Sequence, residues 1–69
     1  MASDRLPDEA QIIDTAYAER VRELFRVFTE AVYTGEPERD AAVRFRRGLL
    51  SARRVHAAAI EALKEGAEG

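Results

Sequence analysis

The sequence predicts an all-α fold, an antiparallel two-helix hairpin, and three observations lead there. Residues 8–34 contain neither glycine nor proline and repeat their apolar positions with helical spacing; residues 37–65 repeat theirs in the same way. Between them, Thr34-Gly35-Glu36-Pro37 joins a residue suited to the position after a helix, Gly35, to one suited to a helix's first turn, Pro37. Folding the chain at this turn then sets apolar side chains opposite one another along its length. Each helix is expected to run roughly 40 Å at ~1.5 Å per residue. A connection this short forces antiparallel neighbours.

The elements follow in order. A polar lead, 1–7, ends at Pro7, and the first helix spans 8–34. At ~100° per residue its apolar set (Ile13, Tyr17, Val21, Leu24, Phe25, Val27, Phe28 and Val32, with Ala10, Ala16 and Ala31) covers roughly half the circumference. One neighbouring helix covers a narrower stripe than that. The expected completion is a four-helix bundle, made by dimerisation or by the helices of a larger partner. The second helix, 37–65, carries large residues on one half of its apolar face (Phe45, Leu49, His56, Ile60, Leu63). Small ones occupy the other half (Ala41, Gly48, Ala52, Val55, Ala59, Ala62). Such a line admits another helix backbone at close range, and a close crossing there offsets the ~1 kcal/mol that Gly48 costs in helix propensity. A short tail, 66–69, closes the chain. The turn pairs positions whose numbers sum to about 73: Phe28 with Phe45, Leu24 with Leu49, Tyr17 with His56, Ile13 with Ile60.

Composition bounds the function. Sixty-nine residues allow one domain, and a chain this short usually relies on disulfides, a metal or association for stability. There is no cysteine and a single histidine, so disulfides and thiolate sites are excluded and association is the expected staple. A formal charge of −2 gives no overall attraction to nucleic acid or membrane. The longest apolar run, Ala57 to Ile60, is too short to cross a bilayer. The first residues lack an apolar secretion segment, so a cytoplasmic setting is expected. Frequent alanine, and arginine at ten of eleven basic positions, suggest a GC-rich bacterial genome.

No catalytic, cofactor or metal site is expected. Ser51 lies mid-helix without a glycine elbow, and the glycines at 35, 48, 66 and 69 are too scattered to cradle a phosphate. His56 on the apolar face reads as a core histidine bonded to Tyr17 or water, with proton transfer or oligomer-related metal binding as the sharper reading. No acid lies three or four residues from it, so the Glu-x-x-His pattern of bundle metal sites is missing.

Charge is arranged by helix. Residues 8–34 carry six acids and three bases, net −3, whereas 37–65 carry seven bases and four acids, net +3. Glu19, Glu23 and Glu30 form one stripe and Arg39, Arg46 and Arg53 another. Their ordinary reading is a pair of flanks that set register, at ~0–1 kcal/mol per exposed pair. The alternative is a basic surface of Arg46, Arg47, Arg53 and Arg54 that binds nucleic acid, although no aromatic residue interleaves them. Val43, Leu50 and Ala57 recur every seven residues on this outer face and form a further candidate seam.

Phe45-Arg46-Arg47-Gly48, followed by Ala52-Arg53 and preceded by Gly35 and Pro37 at the turn, resembles the second helix of exonuclease VII small subunits. That resemblance covers about a quarter of the chain. The first helix departs from the family's Leu-Glu-rich run, and arginines stand where the family places acids around the Arg-Gly element. It implies a noncatalytic accessory subunit clamped on a larger protein's helix. Size, topology and turn are also similar to the small hairpin cochaperones of bacterial type III secretion. The function expected is thus a helical interaction module that self-associates or docks on helices.

Overall fold

The computed structural model describes residues 5–68, and side-chain surroundings for 8–65. It is an antiparallel hairpin of α1 (Arg5–Tyr33) and α2 (Glu38–Glu68), packed against each other. α1 begins three residues before the expected start. Pro7 falls within its first turn, where backbone N–H groups have no intrahelical acceptor and proline is tolerated. α2 continues three residues past the expected end, through Gly66.

Thr34 to Pro37 closes α1 as the sequence suggests. Gly35 takes φ 101°, the left-handed conformation glycine adopts without a Cβ penalty. Its N–H donates to the Val32 carbonyl (3.1 Å) and the Glu36 N–H to that of Ala31 (3.0 Å), the paired bonds of a Schellman cap. Pro37 stands just outside α2, one position earlier than expected. Its carbonyl accepts from Asp40 and Ala41, both at 3.1 Å, and so starts the helix.

A forked ion pair ties the turn to α2. Arg44 Nη2 donates to Glu36 Oε1 at 2.8 Å, and Nη1 donates to the second oxygen. The hydrogen bond from Arg44, with its charge, holds the Glu36 carboxyl below its ordinary 4.5 against the opposing effect of desolvation. A depressed folded value means the pair stabilises the hairpin above pH ~4.5 and stops doing so as pH falls through the lowered value. Glu36→Gln is therefore expected to lower the thermal midpoint at neutral pH. The gap from wild type should close in strongly acidic buffer, as paired melts across pH would show.

Packing follows the expected register. Tyr17 and His56 have ring centroids 4.9 Å apart, and Phe28 and Phe45 5.4 Å, both pairs summing to 73. Phe25 joins the second pair edge-on to Phe45 at 6.4 Å. The Leu24 layer keeps this register and includes Gly48, where an added methyl group would lie 2.5 Å from Leu24 Cδ2. Gly48 thus accommodates the Leu24 side chain of its own hairpin.

The Cα envelope measures 51 × 19 × 8 Å, two helices wide and one helix thick. Domains ordinarily bury apolar surface between two layers, and here there is one. Of the described side chains, only Ala41 is buried, at 2% exposure.

Candidate interaction surface

The residues expected at an interface divide into two sets. Ile13, Tyr17, Val21, Leu24, Phe28 and Val32 of α1 and Gly48 and Ala52 of α2 are half-buried along the seam between the helices. Phe25 (58% exposed) and Val55 (68%) stand outside it. No one contact brings the whole set together, because the set straddles the seam and reaches both broad faces of the layer. Phe25 lies nine residues after Ala16, about 180° around α1 at ~100° per residue, so the two flank opposite faces.

One face carries an open apolar groove of about 450 Å³. Ile13, Ala16 and Tyr17 line it from α1, and Gly48, Ala52 and Val55 from α2. Its form follows from the sequence. The small residues of α2 leave a trough beside the seam, which the larger Phe45, Leu49 and Ile60 do not cross. Ala16 also borders a shallower depression containing Ile12, so the 67% exposed Ile12 continues the apolar surface. Val27 (49% exposed), eleven residues after Ala16, falls on the same strip of α1. The expected line on the back of α2 is also uncovered, with Val43 41% and Leu50 50% exposed.

Beside the groove, which His56 and Tyr17 help to line, His56 Nε2 lies 2.7 Å from Asp14 Oδ1, with the Tyr17 ring next to it. A protonated Nε2 donates to this carboxylate, whose other contacts are with solvent, since Asp14 is 65% exposed. A search of the sequence one helical turn either side of His56 does not reach Asp14, because the contact crosses from α2 to α1. The register itself points to it: Asp14 precedes Tyr17 by one turn, on the same flank of α1. Among the described residues no three ligating side chains converge, so the pair orients an imidazole without enclosing a metal.

The ion pairs depart from the expected flanks. Arg20 binds Glu23 at 2.8 Å and Arg26 faces Glu30 at 3.7 Å, both within α1. Among the described residues no ion pair joins the Glu19/Glu23/Glu30 stripe to the Arg39/Arg46/Arg53 stripe. Register is held by the aromatic and aliphatic layers. Arg46, Arg47, Arg53 and Arg54 are exposed and make no ion pair among the described residues.

No helix among the described residues is long and apolar enough to cross a membrane. Compared with protein-family models, curated proteins and solved structures, the chain has no match.

Proposed function

We propose that this protein is a noncatalytic helical-hairpin module whose work is association, with itself or with the helices of a larger protein. One observation carries this reading: the hairpin is a single layer whose apolar residues open onto both faces, with Phe25 58% and Val55 68% exposed. Full burial of a large apolar side chain is worth ~1.5–3 kcal/mol relative to full exposure, and side chains in this state forgo more than half of it. A short chain without disulfides has little else to offset its conformational entropy. A second layer supplies the missing burial. A bacterial, cytoplasmic accessory subunit clamped on a larger protein, the role implied by the exonuclease VII resemblance, is one form of this reading.

Sedimentation velocity on the full chain at micromolar concentration tests the proposal. A dimer or larger species supports association with itself. An unfolded monomer that gains helix only when a helical partner is added supports docking. A folded, cooperative monomer excludes both.

Arg46, Arg47, Arg53 and Arg54, exposed and without an ion pair among the described residues, favour one second reading, contact with nucleic acid backbone. It predicts binding to mixed oligonucleotides that weakens steeply with added salt. No mobility shift at low salt excludes it.

A further inference from the structure

We infer that the groove face is a homodimer surface, occupied by a second copy whose dyad runs parallel to the helix axes, so that α1 of each copy lies along α2 of the other. The inference rests on the associative reading above and names its partner, its face and its geometry.

Area argues for an occupant of this size. The hairpin exposes 5665 Å² at 7.7 kDa, whereas a compact monomer of that mass exposes about 4,300 Å². The excess, about 1,300 Å² per chain or about 2,600 Å² for two, falls in the range of about 2,000–5,000 Å² buried by obligate homodimers.

Shape and hydrophobicity select the face. Of the exposed large hydrophobic side chains, Val55 borders the groove, Ile12 adjoins it through Ala16, and Val27 lies on the same strip. Val55 projects beside a hollow floored by Gly48, Ala52 and Ala16. The face therefore carries both a knob and a hole, which an isologous contact requires.

Charge selects the copy and its orientation. On the groove edge of α1, Glu23 and Glu30 continue the heptad line from Ala16, each already facing an arginine of its own helix, Arg20 or Arg26, while Glu19, just outside, makes no ion pair among the described residues. On the groove edge of α2, Arg47 and Arg54 each precede a groove residue, Gly48 and Val55, and lie outward of it. A dyad parallel to the helices lays the acidic edge of α1 against the basic edge of the partner's α2. A dyad across the helices would stack α1, net −3 over residues 8–34, on α1, and α2, net +3 over residues 37–65, on α2. The opposite face offers no such match. Arg53, two residues beyond Ser51 and so about 200° around α2, lies there with Arg39 and Arg46, and Arg22 borders it on α1, where the acid on that side, Asp14, already binds His56. Two copies meeting on that side would bring like charges together.

The geometry also gives a register. Rotation about an axis parallel to the helices preserves height, so residues whose numbers sum to 73 meet across the dimer as they do within the hairpin. Glu19 then stands level with Arg54 of the partner subunit, and Glu23 within one turn of the partner's Arg47.

Sedimentation equilibrium on the full chain and its variants tests this. Wild type is expected as a dimer. Val55→Arg, at a position exposed in the hairpin and with a residue of good helix propensity, should weaken association on the order of 30-fold or more. Phe25→Arg, on the opposite face, should weaken it far less. Glu19→Arg and Arg54→Glu should each weaken it by about 2- to 10-fold, and together should restore it. A dimer sensitive to Phe25→Arg and indifferent to Val55→Arg overturns the groove while leaving the associative reading intact. A dimer that the paired charge reversal fails to restore overturns the orientation. An unfolded monomer overturns the homodimer and leaves a foreign partner; a folded, cooperative monomer overturns both readings.

Discussion

Phe28→Ala is expected to abolish the ordered helical state at micromolar concentration. Phe28 sits 5.4 Å from Phe45 and 6.5 Å from Phe25, in the aromatic cluster nearest the turn. Truncating a buried phenylalanine costs ~3–5 kcal/mol, and Leu→Ala ~2–5 kcal/mol; Phe28 and Leu24 are half-buried in the hairpin alone and reach these ranges when the proposed second layer covers them. Domains carry only ~0.05–0.15 kcal/mol of stability per residue, or about 3–10 kcal/mol for a chain of this length. Either truncation therefore removes a large share of the total. Leu24→Ala should act similarly, because it empties the space above Gly48. Far-UV circular dichroism against temperature provides the readout. Arg46→Ala is the control: it is exposed and makes no ion pair among the described residues, so its melt should stay within ~0.5 kcal/mol of wild type.

Gly48→Val is expected to cost ~1–3 kcal/mol, the usual range for forcing extra atoms into a packed site. Even a methyl group there would lie 2.5 Å from Leu24 Cδ2 and 3.4 Å from Cγ, so a branched side chain must push α1 and α2 apart or expel Leu24 from its layer. Gly48→Ala sets two effects against each other. Alanine gains ~1 kcal/mol of helix propensity, while Leu24, only half-buried, can swing its terminal methyls aside. The alanine variant should fall close to wild type. Coupling identifies the cause: with Leu24→Ala present, Gly48→Val should cost clearly less than it does alone, because the two side chains compete for one space. Equal costs in both backgrounds would mean that Gly48 serves some purpose other than seating Leu24. Chemical denaturation of the four proteins gives the comparison.

The parts legible in the sequence are those governed by periodicity and by the turn. Gly35 had one role open to it, and the left-handed residue it supplies fixes the fold-back point. From that point Phe28 must meet Phe45, and Tyr17 must meet His56. The helix ends were less legible. Pro7 reads as a boundary, yet the first turn of a helix tolerates it, and α2 runs on through Gly66. Two side-chain roles were out of reach for a different reason. Gly48 reads on a wheel as a point of close approach, but a wheel does not show which side chain of the hairpin sits against it; Leu24 does. Asp14 lies beyond a search along the helix of His56, because the contact crosses between two. The charge stripes misled in the same way. Glutamate and arginine on facing helices suggest cross-links, but Arg20 and Arg26 reach acids on their own helix first, at i+3 and i+4.

The distinction between a finished domain and half of an assembly lies in how folding depends on concentration. If the open layer is completed by association, diluting the full chain should lower its Tm and, at sufficient dilution, erase the helical signal. Melts recorded by circular dichroism over a wide range of chain concentrations measure this directly. A Tm that rises steadily with concentration is the expected result. A high, constant Tm with full helix content in the most dilute sample would show that the two helices stand by themselves, and the reading of this hairpin as one half of a larger bundle would fall.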